Sequence, residues 1–172
     1  WYSDLWSIAG ARQRILPGHA RERSGAFPIE LPYRLVAMYS WQGDTVLDPF
    51  GGTGTTALAA MSLGRNSVIT ELNDGLIELA RERASTPETL AVLADLPAQR
   101  LAAHEAFLDS RDSEPAHRNE HLGVAVVTSQ ETDLRLPALD VVEERDGRLT
   151  STYLEAPRRP ARQLELGPLD SD

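Results

Sequence analysis

One short run of this chain brings together residues suited to holding a charged, hydroxyl-bearing small molecule. Asp48 closes the apolar stretch Val46-Leu47, Pro49-Phe50 breaks it, and Gly51-Gly52-Thr53-Gly54 leads into Thr55 and Thr56. A second apolar run, Ser67-Val68-Ile69-Thr70, closes on Glu71. Glycines carry no Cβ, so such a loop turns tightly and lies against a ligand. A helix opening near Thr55 directs free amide groups and its positive end at the loop, which favours an anionic group there. Glu71, at a strand's carboxyl end, stands where dinucleotide-binding folds place the acid that accepts from ribose hydroxyls. Asp48 needs a partner, because an unpaired carboxylate closing an apolar strand is costly. No Gly-Lys-Ser or Gly-Lys-Thr follows the glycines, which excludes a nucleotide triphosphate loop. A nicotinamide-binding oxidoreductase is the weaker alternative, since Thr56 and Ala57 break the Gly-x-Gly-x-x-Gly spacing.

The elements that must position these residues follow from periodicity and punctuation. Thr45–Asp48 reads as a strand, 55–63 as a helix stopped by Gly64, 66–70 as a strand, and 74–84 as an amphipathic helix capped by Asn73. Upstream, Leu31, Leu35 and Met38 give helical spacing over 29–40, residues 5–8 read as a short strand, and 12–26 look irregular. Strand, glycine loop, helix and strand make an α/β unit that can hold a nucleoside-bearing cofactor at the edge of a parallel sheet. An open sheet of two or three strands cannot cover both faces, so this unit alone exposes apolar surface.

Downstream the character changes. Leu90, Leu93, Leu96, Leu101 and Phe107 are partly periodic over 87–109, and Pro97 predicts two helices there. A charged linker, 109–120, follows. Residues 123–128 and 139–143 read as strands, and Asp146-Gly147 signals a hairpin into 149–154. The expected organisation is a cofactor part over 1–85, a helical connector over 86–120, a small β-rich appendage over 121–156 and a disordered tail over 157–172. The appendage is expected to brace the rest rather than to contact DNA, given its acidic charge.

The string around the glycine loop carries a family resemblance. Phe27-Pro28-Ile29-Glu30-Leu31 stands upstream, Asp48-Pro49-Phe50-Gly51-Gly52-Thr53-Gly54-Thr55-Thr56 in the middle, and Glu71-Leu72-Asn73 downstream. In that order and spacing they resemble motifs ten, one and two of the DNA amino-methyltransferases, in the circular order called the β class. The resemblance covers about residues 1–85. It implies a Rossmann-like methyltransferase half-domain with S-adenosyl-L-methionine as cofactor, and methyl transfer to the exocyclic nitrogen of adenine or cytosine in DNA. By the same resemblance Asp48, Phe50, Gly51, Gly52 and Gly54 would line the methionine pocket, with Pro49 and Thr53 also among the cofactor-binding residues. Thr55 and Thr56 would cap the following helix and contact the carboxylate. Phe27 and Pro28 would close the methionine side, Glu71 would take the ribose, and Asn73 would cap the next helix. Phe27 and Phe50 are equally suited to a core, and Asn73 to a helix cap alone.

The family's chemistry sits at a further motif, Asp, Asn or Ser followed by Pro-Pro and an aromatic, which holds the flipped base's amino group. The eleven prolines here never occur as a pair, so no catalytic residue is expected in these residues. The β-class order puts that motif and the target-recognition region ahead of residue 1, and Trp1-Tyr2-Ser3-Asp4-Leu5-Trp6 resembles the stretch just after recognition. The expectation is therefore a carboxyl-terminal half or split subunit that needs an amino-terminal half as partner. The alternative is a non-catalytic cofactor-binding or partner-binding subunit, or a remnant.

Charge and composition set the remaining expectations. All 17 basic side chains are Arg, with a formal net charge of −9. An acidic, Lys-free chain suggests a salt-loving or GC-rich host. The one positive stretch holds Arg12, Arg14, Arg21, Arg23 and Arg34, and the first four are the candidates for DNA phosphate contact beside a solvated-loop reading. No apolar run reaches membrane-spanning length and no signal peptide opens the chain, so a cytoplasmic protein is expected. With no Cys there is no disulfide or thiolate metal site. His117 and His121 flank Glu120 without the His-Glu-x-x-His order, so no metal site is expected. Ser129 and Ser151 lack a glycine elbow, leaving a hydrolase unsupported.

Overall fold

The computed structural model describes residues 5–8 and 27–155, which fall into two units: 5–8, 27–98 and 137–154 in one, and 99–136 in the other. The expected strand over 5–8 is absent, those residues having no regular secondary structure. Arg12, Arg14, Arg21 and Arg23 and the expected tail lie outside the described residues.

In the first unit, α1 (Glu30–Tyr39), β1 (Thr45–Asp48), α2 (Thr55–Ser62), β2 (Asn66–Ile69) and α3 (Asp74–Ser85) follow one another, with α4 (Pro87–Asp109) next. β1 and β2 pair in parallel, Thr45 with Asn66 through Asp48 with Ile69, so α2 is the crossover that parallel strands require. The pleat sends Val46 to one face, where it packs with Tyr33, Val36, Ala59 and Leu63 beneath α1 and α2. Leu47 and its cross-strand partner Val68 take the other face and remain 67% and 51% exposed.

The amino ends of the strands are fixed by a polar knot. Arg65 donates to the Leu63 carbonyl at 2.6 Å, to the Ser40 carbonyl at 2.6 Å and to Ser40 Oγ at 3.1 Å. One guanidinium thus serves carbonyls at the carboxyl ends of α1 and α2, where helix dipoles favour a cation. Asn66 Nδ2 donates to the Gly43 carbonyl at 2.7 Å, and Gly43 N–H to the Gly64 carbonyl at 2.9 Å. Gly64 has φ +71, the left-handed turn that lets α2 stop and β2 start at once.

The carboxyl-terminal hairpin divides the chain differently from the expected appendage over 121–156. β5 (Pro137–Arg145) and β6 (Arg148–Glu155) are joined by Asp146 and Gly147, both at positive φ, as a two-residue turn matched to strand twist requires. They group with the first unit. Leu139, Val142, Leu149 and Tyr153 join Leu58, Met61, Ala84 and Leu93 in one core, and Tyr153 Oη donates to the Met61 carbonyl at 2.7 Å. The hairpin therefore braces the flank of α2.

Pro97 does not split 87–109 into two helices, and α4 runs through it. A proline removes one backbone bond and crowds the turn before it. Burial of Leu93 and Leu96 on one side of Pro97 and of Leu101 on the other holds the helical path despite that cost. In the second unit, β3 (His117–Arg118) lies inside the expected linker and pairs antiparallel with β4 (Ala125–Val126). Asn119, 1% exposed, organises the loops around them. Its amide donates to the Glu131 and Leu134 carbonyls and its Oδ1 accepts from His121 and Leu122 N–H, so a buried amide is fully satisfied. Leu101, Leu122 and Leu136 form the small core.

Truncating Leu93, 1% exposed in the main core, to alanine is expected to cost about 2–5 kcal/mol in urea unfolding. The half-exposed Val141 should lose no more than about 0.5 kcal/mol on the same change. Equal losses at the two positions would mean that the core lies elsewhere.

Candidate functional site

The carboxyl ends of β1 and β2 and the glycine loop between β1 and α2 converge on one place. Asp48 Oδ1 accepts from Phe50 N–H at 3.0 Å, which turns the chain out of the strand. Gly51 N–H then donates to the Thr70 carbonyl at 2.8 Å, laying the loop on the end of β2, while Thr70 Oγ1 donates to the Pro49 carbonyl at 2.9 Å.

The glycines divide into two roles. A Cβ on Gly51 would stand 2.8 Å from Ile69 Cβ, and one on Gly54, at φ +78, would stand 2.8 Å from Ala80 Cβ. Both distances are below any real Cβ contact, so the packing of the loop on β2 and α3 demands these two glycines. Gly52, at φ +51, would meet nothing closer than a backbone oxygen at 3.9 Å. It is the glycine that faces open space.

Gly54 also overturns the expected cap of α2. Gly54 is the N-cap residue, with no side-chain cap hydrogen bond, and Thr55 is buried inside the first turn. The left-handed backbone that brings the chain into α2 is open to glycine and strained for threonine. Asn73, by contrast, caps α3 as expected, its Oδ1 accepting from Leu76 N–H at 3.3 Å.

Glu71 ties the site together. Its Oε1 accepts from Leu72 N–H at 2.8 Å and from Asn73 N–H at 3.0 Å, and its Oε2 from Gly52 N–H at 2.9 Å. The Asn73 N–H first, then those of Gly52 and Leu72, hold this carboxyl below its ordinary value, against the opposing effects of burial and of the nearby Asp48. Three of about four lone-pair positions on a carboxylate are thereby used, leaving room for roughly one further donor. Phe50, 87% exposed, is no core aromatic here, while Phe27 and Pro28 are half-buried just ahead of α1.

Arg83 is a residue that motif reading missed. From α3 its Nη1 donates to the Thr53 carbonyl at 2.5 Å, and burial pulls its guanidinium below the usual value. Its only sequence signal is a charge in the last turn of an amphipathic helix, which ordinarily reads as a solvated face. The histidines resolve simply: His117 lies in β3, and His121 Nε2 lies 2.5 Å from Asp133 Oδ1.

The sequence that builds this site has counterparts among known proteins. Residues 1–82 match the family model described as DNA methylase, of the N6/N4 type. The chain is 41% identical over 137 residues to the type II methyltransferase M.MthZI of Methanothermobacter thermautotrophicus, covering 79% of this chain and 38% of that protein. It is 45% identical over 85 residues to M.MjaI of Methanocaldococcus jannaschii, covering 48% of this chain and 27% of that one. A solved putative DNA modification methylase from Thermus thermophilus, in complex with S-adenosyl-L-methionine, is 52% identical over 34% of this chain and 25% of its own, with a TM-score of 0.34. Residues 1–82 belong to the N6/N4 DNA amino-methyltransferases. The chain spans well under half the length of these relatives.

Glu71 supplies a pH test with a definite sign. A carboxyl depressed in the folded state contributes its loop-ordering effect fully above the ordinary value of 4.5 and loses it as pH falls through the lower folded value. The Gly52 and Asn73 amide resonances should therefore hold steady from neutral pH to that range and move together below it. Glu71→Gln should abolish the titration at both amides. Movement of Gly52 alone would mean that the carboxylate does not bridge the two segments.

Proposed function

We propose that this chain is the S-adenosyl-L-methionine-binding portion of a DNA methyltransferase acting on the exocyclic amino group of adenine or cytosine. The observation that carries this reading is the convergence of Asp48, Glu71 and the open Gly52 at the carboxyl edge of a parallel strand pair, within the family-matched residues. Ligands of open α/β sheets bind at that edge.

The residues present suit the cofactor. Glu71 retains acceptor capacity for a ribose hydroxyl, and Asp48 stands near it as a second carboxylate. Hydroxyl donors between two carboxylates relieve a repulsion that the protein alone leaves in place. Gly52 lets a ligand approach the backbone, and the amino end of α2 favours an anionic group such as the methionine carboxylate. Phe50, Phe27 and Pro28 supply apolar surface for the methionine side chain, with Pro49, Gly51, Thr53, Gly54, Thr55, Thr56 and Asn73 shaping the loop and helix starts. When bound, the cofactor supplies an electrophilic methyl group; the role of these residues is to bind and orient it.

The target base and the catalytic Pro-Pro-aromatic motif belong, in this proposal, to an amino-terminal half in the same protein or a split partner. The exposed Leu47–Val68 pair on an open two-stranded parallel sheet supports that reading, because parallel sheets are otherwise covered on both faces. DNA is the proposed macromolecular substrate, with Arg12, Arg14, Arg21 and Arg23 as its candidate phosphate contacts in the β-class arrangement.

Titrating S-adenosyl-L-methionine calorimetrically into the chain in high potassium chloride tests the cofactor reading. Binding is expected to weaken by about tenfold or more in Asp48→Ala and Glu71→Ala. Unchanged affinity in both variants, or no binding even when the amino-terminal half of a relative is supplied, would end the proposal. In the reconstituted enzyme, replacing Arg12, Arg14, Arg21 and Arg23 by glutamine should weaken DNA binding and lower its salt dependence by roughly one unit of slope for each phosphate no longer neutralised. An unchanged slope would remove the arginines from the interface.

A further inference from the structure

The glycine loop is gripped at two adjacent residues by side chains of opposite charge. On one side Glu71 Oε2 accepts from Gly52 N–H at 2.9 Å. On the other, Arg83 Nη1 donates to the Thr53 carbonyl at 2.5 Å. The two side chains reach the loop from either end of α3 and its entry, Glu71 just before the Asn73 cap and Arg83 in the last turn. Between them Ala80 approaches the loop so closely that Gly54 admits no Cβ. The segment entering α3, its middle and its last turn thus bear on three consecutive loop residues.

Arg83 holds its place at a cost. It is half-buried, and no carboxylate among the described residues pairs with it. A solvated arginine on an exposed helix face would keep its hydration, so a partly desolvated one aimed at a loop carbonyl needs a positional reason. The carbonyl of Thr53 supplies it. That peptide lies in a loop of glycines whose backbone would otherwise sample many conformations.

We propose that Arg83 is a positioning residue that, opposite Glu71, clamps the Gly52–Thr53 segment in its ligand-ready conformation. Fixing the segment in advance removes ordering entropy from binding, so the clamp acts on affinity through the loop and not through contact with the ligand. The benefit for cofactor affinity rests on the function proposed above; the ordering of the loop does not.

Amide hydrogen exchange followed by NMR tests the clamp without any ligand. In Arg83→Met, which keeps the apolar stem, Gly52 and Gly54 amides are expected to exchange about tenfold faster or more, while Ala59, Ala60 and Met61 in α2 keep their protection. Arg83→Lys, which restores a cationic donor, should return part of that protection. Unchanged loop exchange in Arg83→Met, or an equal loosening of α2, would overturn the proposal. Should Arg83→Met not fold, Arg83→Gln, too short to reach Thr53, decides by the same comparison of loop against α2. In a second measurement, S-adenosyl-L-methionine affinity should fall in Arg83→Met and recover in Arg83→Lys. Absence of binding by the wild-type chain would count against the cofactor reading alone, since loop exchange reads the clamp independently.

Discussion

A carboxylate that accepts three backbone N–H groups organises this molecule's candidate site. Glu71 receives Gly52 from the loop after β1 and Leu72 and Asn73 from the start of α3, so one side chain joins segments that the sequence keeps about twenty residues apart. Backbone amides at the end of a strand and the start of a helix are left without ladder or helix partners. An ionised acceptor satisfies them with charge-assisted bonds stronger than neutral ones. Everything nearby follows from that bridge. The loop must lie against β2, which leaves no room for a Cβ at Gly51, and against α3, which leaves none at Gly54.

The same constraint accounts for the division of labour around α2. Its amino end is set by the loop, and its carboxyl end by Arg65, which serves carbonyls of both Leu63 and Ser40. Its flank is covered by the β5–β6 hairpin, through Leu139, Leu149 and the Tyr153 bond to the Met61 carbonyl. A helix braced at both ends and along one side holds its amino terminus in a fixed relation to β1. Any ligand group held there inherits that precision.

Much of this was legible in the chain, for identifiable reasons. The Val46–Thr56 run, the Gly64 stop, the Asn73 cap and the Asp146-Gly147 turn are local signals, each carried by residues that accept a backbone or capping role most others do not. Contributions from distant segments were not legible. Nothing near Thr55 discloses that Gly54 holds the N-cap, because the Ala80 contact that fixes the loop's path comes from another helix. Arg83 reads as surface charge until α3 is placed beside the loop. Pro97 reads as a helix break because the leucines that outweigh it bury themselves in clusters assembled from remote parts of the chain. The hairpin's attachment to the first unit has the same character: its turn is local, its destination is not.

The sheet leaves apolar side chains open on one of its faces. Two parallel strands of four residues each leave both outer edges without ladder partners among the described residues, and Leu47 and Val68 stand side by side on an open face. Burying one such side chain fully is worth roughly 1.5–3 kcal/mol, so leaving both in water forgoes a stabilisation comparable to a sizeable part of a small domain's net stability. The opposite face shows what a covered strand looks like: Val46 is enclosed by Tyr33, Val36, Ala59 and Leu63. A parallel pair selected to stand alone would carry polar residues at positions 47 and 68, as half-solvated strands do. Leucine and valine at those positions, in register and on one side, are the composition of a strand pair shaped for burial on both faces. The candidate site is built on the carboxyl edge of this same pair, so any group packed on that face would also limit how far β1 and β2 can shift beneath the glycine loop.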